Sequence, residues 1–211
     1  MEHAPARLVL VTPSNIDAAE FAPKLIEALD AGSIAAVILD LASEDVADWR
    51  RATEILCPIA QERGTAFQLH NRPELVRELG ADGSHMTLGT EALSSAIRML
   101  RPDMIVGAGD CTTRHAAMLL GEITPDYVLL GRLDPEGDIP ATHNLVEWWS
   151  DLFQLPCVAL CAEDWDTVEA TVDGGADFIA LRDLVWTNRG GIAQAVEKAL
   201  DIAARLRVEA A

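Results

Sequence analysis

Two histidines, His70 and His85, each close a short apolar run, and His70 opens a polar cluster, His70-Asn71-Arg72. A histidine at such a place can take or give a proton near neutral pH, or it can be a hydrogen-bonded residue of a loop. Asp40 and Asp110 also close apolar runs. Together they could hold a divalent cation, and separately each could cap the next helix. Arg132 and Arg182 carry the planar fork that fits a phosphate, with Asp134 and Asp183 nearby as competing partners. Asn71 and Arg72 precede Pro73 and a short helical stretch, so Asn71 is either a binding group or a turn residue. We take His70 and His85 as candidate proton-transfer groups. Asp40, Asn71, Arg72, Asp110, Arg132 and Arg182 are the candidate substrate-binding groups, and no residue is assigned to a metal. Cys111 would be a nucleophile only with a lowered pKa, which nothing in the sequence requires. Trp186 is read as a loop residue near the same site, placed to cover a ligand.

Residues so scattered need a scaffold that gathers them. Apolar runs at 8–12, 36–40, 66–70, 83–86, 104–110, 127–132, 157–162 and 178–183 alternate with stretches of helical period. The runs are continuously apolar, as expected of parallel strands covered on both faces. A punctuation recurs before them: Gly80-Ala81-Asp82, Arg101-Pro102-Asp103, Thr124-Pro125-Asp126 and Gly175-Ala176-Asp177. Glycine suits the left-handed residue after a helix, and proline cannot continue one. Eight such units without a linker predict one closed (β/α)8 TIM barrel over residues 1–211. The rival, an open doubly wound sheet, would place a glycine-rich phosphate turn after its first strand, where this chain has Thr12-Pro13-Ser14-Asn15. In a barrel, the candidate residues fall at the C-terminal strand ends, where barrel chemistry is done.

Composition narrows the partners. The 211 residues carry 34 acidic against 16 basic side chains, a net charge of −18. Such a field repels phosphate backbones and anionic lipid, so neither nucleic acid nor a membrane surface is expected as a partner. Cys57, Cys111, Cys157 and Cys161 lack C-x-x-C spacing and read as reduced, buried thiols of a cytoplasmic protein. Trp148-Trp149 lie on a helical pattern, one facing the barrel and the other available for a homodimer contact.

Residues 66–86, AFQLHNRPELVRELGADGSHM, resemble the third and fourth βα units of thiamine phosphate synthase and its thiazole tautomerase relatives. There a strand ends in Asn-Asp-Arg and Gly-Ala-Asp-Gly-Val-His-Leu follows. The likeness continues through Ile105-Val106-Gly107, residues 125–131, residues 155–159 and residues 175–180. It implies a (β/α)8 barrel. It also implies a magnesium-assisted transferase that joins a pyrimidine methyl diphosphate to a thiazole phosphate, with release of pyrophosphate.

The family's working residues are largely replaced. Its Gln-x-Arg-x-Lys falls on Ile38, Asp40 and Ala42, its Asn-Asp pair on His70-Asn71, and its second metal-binding Asp on or near Thr90. The phosphate-binding Gly-Gly falls on Cys161-Ala162, the strand 5 serine on Gly109 and the tautomerase histidine on Cys111. Magnesium is thus implied by the family while its ligands are lost here. The resemblance leads us to expect a divergent member that binds a small phosphorylated or heterocyclic ligand at the mouth, Arg182 holding any phosphate with help from Arg72. The alternative is a non-catalytic binding or regulatory barrel that acts as a homo-oligomer.

Overall fold

A computed structural model describes residues 5–133, 139–161 and 164–209. The apolar runs form β1 (Arg7–Val11), β2 (Ile34–Leu39), β3 (Ala66–His70), β4 (Gly83–Met86), β5 (Ile105–Cys111), β6 (Tyr127–Leu130), β7 (Cys157–Cys161) and β8 (Phe178–Leu181). Each pairs in parallel with the next, and β1 pairs with β8, so the sheet closes as a barrel. The helices are α1 (Ala18–Asp30), α2 (Val46–Gln61), α3 (Pro73–Leu79), α4 (Gly89–Leu100) and α5 (Arg114–Gly121). They continue with α6 (Ile139–Leu152), α7 (Trp165–Asp173), the short α8 (Asp183–Trp186) and α9 (Ile192–Glu209). The expected (β/α)8 architecture is therefore the observed one, with α8 as an extra turn inserted after β8.

Strand alternation divides the core in two. Leu8, Leu10, Val37, Leu39 and Phe67 pack outward on Leu25, Leu56, Val196 and their neighbours from the helices. Val9, Val11, Ile38, Tyr127, Leu129, Val158 and Ala180 fill the lumen. Helix starts are set locally: the Asp17 carboxylate accepts from the N–H groups of Ala19 and Glu20 at 2.9 and 3.0 Å, and Asp45, Thr113 and Asp164 cap α2, α5 and α7 in the same manner. Gly80 ends α3 at φ 71°, the left-handed conformation for which glycine is suited.

The recurrent Asp before a strand has a structural job. Asp82, just before β4, accepts from Phe67 N–H at the start of β3 at 2.7 Å. Asp126, before β6, accepts from Val106 N–H in β5 at 2.7 Å, and Asp177, before β8, from Cys157 N–H in β7 at 3.0 Å. Each carboxylate pins one strand to its predecessor at the N-terminal end of the barrel. Asp103 belongs to the same sequence pattern but instead faces Arg77 at 3.5 Å.

The cysteines are buried, and loss of solvent pushes the Cys57 thiol up to about 11 and those of Cys111, Cys157 and Cys161 up to about 12. Trp186 is not a loop residue covering the mouth. It ends α8, is 8% exposed, donates from Nε1 to the Val11 carbonyl at 2.6 Å and meets Phe21 edge to face at 4.8 Å. Trp149 is buried and stacks on Phe153, while Trp148 is partly buried with the Arg114 guanidinium 5.1 Å from its ring centre.

Candidate active site at the barrel mouth

The C-terminal strand ends surround a cavity of about 260 Å³ lined by Asp40, His70, Thr87, Asp110, Arg132 and Arg182, with Ser14 and Leu133 at its edges. Asp40 is the residue after β2, and its backbone is clamped on both sides by the Thr12 hydroxyl, which accepts from Asp40 N–H at 3.0 Å and donates to its carbonyl at 3.1 Å. The carboxylate is thereby fixed facing an imidazole and a guanidinium. One oxygen lies 2.8 Å from Nδ1 of His70 and the other 3.1 Å from the Arg182 guanidinium. Burial alone would raise the Asp40 pKa. The hydrogen bond and charge of His70, joined by Arg182, outweigh it and hold the carboxyl below its ordinary value.

An ionised Asp40 can only accept, so Nδ1 of His70 carries the hydrogen and Nε2 is left as the basic nitrogen. That nitrogen accepts from the Asn71 amide at 2.9 Å and faces the Thr87 hydroxyl at 2.9 Å. Thr87 is in turn held by Asn71, whose amide donates to its hydroxyl at 2.7 Å and accepts from its backbone N–H at 2.8 Å. The sequence Asp40, His70, Thr87 is thus an oriented carboxylate, an imidazole and a hydroxyl in line. Such an array can accept a proton at Nε2 from a bound substrate that displaces the threonine hydroxyl and the Asn71 amide.

The positive charge is already engaged. Arg182 donates to the Leu133 carbonyl at 2.6 Å as well as to Asp40, and Arg132 lies 3.3 Å from Asp110. Arg132 and Asp110 are about half exposed, so their pairing is weakened by solvent and an incoming anion can compete for that guanidinium. Magnesium, implied by the family resemblance, does not fit this donor set. Asp40 is taken up by His70 and Arg182, and Asp110 by Arg132, so each mouth carboxylate already has a basic partner.

Three expected site residues stand apart from the cavity lining. His85 lies inside the barrel, fully buried, with Nδ1 2.9 Å from the Tyr127 hydroxyl and its ring stacked on that phenol at 5.7 Å. Burial, then the charge of His70, pushes it down to about 3, so it is a neutral packing residue at physiological pH rather than a group open to substrate. Arg72 turns away to the barrel flank, where it pairs with Glu44 at 2.8 Å and lies over the Trp49 ring at 5.3 Å. Asn71 holds a left-handed backbone, φ 54°, and ties β3 to β4 as a turn residue beneath the cavity.

Thr87, Ser14 and Leu133 are the cavity residues that sequence reading missed. Thr87 was findable: β4 runs one residue past His85 to Met86, so the residue that reaches the mouth on the same strand face is 87. Asp134 and Ala162, named from sequence as a competing partner and a phosphate-loop position, lie outside the described residues.

The thiamine monophosphate synthase family model matches residues 8–185. The thiamine-phosphate synthase of Rhodospirillum centenum is 38% identical over 194 residues, covering 90% of this chain and 94% of its own. That of Hyphomonas neptunium is 38% identical over 199 residues, covering 90% of each. Among solved structures, the thiamine phosphate pyrophosphorylase from Pyrococcus furiosus superposes with a TM-score of 0.80 at 18% identity, over 95% of this chain and 96% of that one. Orotidine 5'-phosphate decarboxylase from Pyrococcus horikoshii shares the fold with a TM-score of 0.63 at 14% identity, over 92% and 99%.

Proposed function

Since the chain belongs to the thiamine monophosphate synthase family, we propose that its mouth binds a small phosphorylated or heterocyclic ligand related to those of its synthase relatives, and that the parent reaction has been replaced. The observation that carries this reading is the Asp40 carboxylate held between His70 and Arg182. Ionising a diphosphate requires positive charge gathered on the leaving group. Here the two mouth arginines face two aspartates, so the cavity is close to electrically balanced. Such a mouth suits a ligand with one anionic group, bound through Arg132 and Arg182, and a polar ring placed against His70. His70 then serves as the proton-transfer group and Asp40 fixes its tautomer.

Two measurements test this. Thiamine phosphate formation from both substrates with magnesium should be undetectable, and robust turnover would overturn the loss of the parent chemistry. Thiamine phosphate, pyrophosphate and inorganic phosphate should raise the melting temperature. A ligand at 100 times its Kd stabilises the fold by about 2.7 kcal/mol.

The non-catalytic homo-oligomer is favoured by a different observation. Met99 on α4 and Met118 and Leu119 on α5 are 47%, 43% and 42% exposed on adjoining helices. That reading predicts no response to the ligand panel.

A further inference from the structure

At the opposite end of the barrel from the mouth lies a second chamber, of about 250 Å³. Its wall is set by small residues at strand starts, Ala35 and Ala36 of β2 and Ala66 of β3, with Val9, Val158 and Phe178 completing an apolar surface. Larger side chains, Ile38 and Leu129, close the lumen further along the same strands. Roughly 150 Å³ of apolar cavity is enough to hold one benzene ring, so the chamber is large enough for a substituted one.

Gln68 brings an amide to this chamber and is 3% exposed. Its Oε1 accepts from the Tyr127 hydroxyl at 2.9 Å, and Tyr127 is bonded on its other side to His85. The amide N–H groups of Gln68 meet no acceptor among the described residues. The amide nitrogen keeps contact with the open space of the chamber, so an incoming acceptor can reach it, and one donor among apolar walls is a poor site for water, which needs about three partners. At the entrance Asp126 is already engaged by Arg101 at 2.9 Å and by Val106 N–H, while Arg7 rests over Phe178 at 5.7 Å.

We propose that this N-terminal chamber is a small-molecule site, separate from the mouth, for a compact apolar or aromatic compound that presents one hydrogen-bond acceptor to the Gln68 amide. The ring occupies the space beside Ala36, Ala66 and Val158. The acceptor oxygen completes the chain that runs from His85 through Tyr127 to Gln68.

Acetophenone and cumene, alike in shape but differing in the acceptor oxygen, test this on the full chain by NMR titration. Acetophenone should shift the methyl resonances of Ala36, Ala66 and Val158 and bind about tenfold more tightly than cumene, the worth of one hydrogen bond to a donor otherwise unpaired. Gln68→Leu should bind both compounds equally. In that variant the Tyr127 hydroxyl can turn to donate to His85 Nδ1, so only the amide is lost. Ala36→Leu should fill the space and abolish both. If Gln68→Leu does not fold, Gln68→Met carries the same comparison. The proposal is overturned if neither compound shifts those methyl groups in the unmodified chain, or if the preference for acetophenone persists without the Gln68 amide.

Discussion

Arg182 and Asp40 stand 3.1 Å apart, both largely shielded from solvent, with the second arm of the arginine on the Leu133 carbonyl at 2.6 Å. A phosphate entering the mouth must therefore compete with a carboxylate for a guanidinium that is already oriented.

Arg182→Ala should weaken inorganic phosphate or pyrophosphate binding roughly tenfold to a hundredfold, the range of a charged hydrogen bond. Arg72→Ala should leave it unchanged, because Arg72 faces Glu44 and Trp49 on the flank. Isothermal titration of both variants separates them. Equal affinity in Arg182→Ala and the unmodified chain would reduce Arg182 to a structural ion-pair partner.

Asp40 gives a stability signature in acid. Its folded pKa lies below the ordinary 3.8, so its contribution is complete above about pH 4 and is lost as the pH falls through the folded value. Urea midpoints measured down to low pH should drop more steeply for the unmodified chain than for Asp40→Asn. Parallel curves would show that His70 and Arg182 do not favour the carboxylate.

His85 acts over a different window. The unfolded chain takes up its proton below 6.5, whereas the folded chain does so only near 3, so stability falls as the pH is lowered between these values. The His85 ring resonances should not titrate between about pH 8 and pH 5, and His85→Gln should remove the histidine's share of the stability loss between 6.5 and about 3. A midpoint near 6.5 would place the imidazole in solvent.

Gly109 and His85 share one space. A Cβ on Gly109 would meet Nε2 of the imidazole, so the glycine is required by the histidine opposite. Gly109→Ala should cost about 1–3 kcal/mol by overpacking, and markedly less when His85 is already Ala. Additive losses in the double-mutant cycle would disconnect the two positions.

The barrel was legible because its strands are covered on both faces and read as unbroken apolar runs, each announced by a helix stop. The mouth was legible in part. Asp40, His70, Asp110, Arg132 and Arg182 sit at or beside strand ends and were found by position alone. His85 was misplaced because the apolar run gives no sign of how deep in the lumen a strand residue sits, and a polar side chain there looks like a rim residue. Arg72 follows a strand end too, but the groups that draw it aside, Glu44 and Trp49, come from the preceding βα unit and leave no local mark. Thr87 was overlooked because it lies one residue beyond the apolar run 83–86, which β4 matches, so nothing in the run marks it.

The carboxylates of Asp82, Asp126 and Asp177 fasten neighbouring strands in pairs, and all three do so at the end of the barrel remote from the mouth. Strand register is thus helped from one rim while ligand contacts are made at the other. Substitutions among the mouth residues leave these fastenings untouched. A lineage with this division can rewrite its chemistry position by position without first re-inventing the vessel that holds it. The same division makes the mouth a suitable place to install a new reaction by design, provided that the three fastening aspartates are left as they stand.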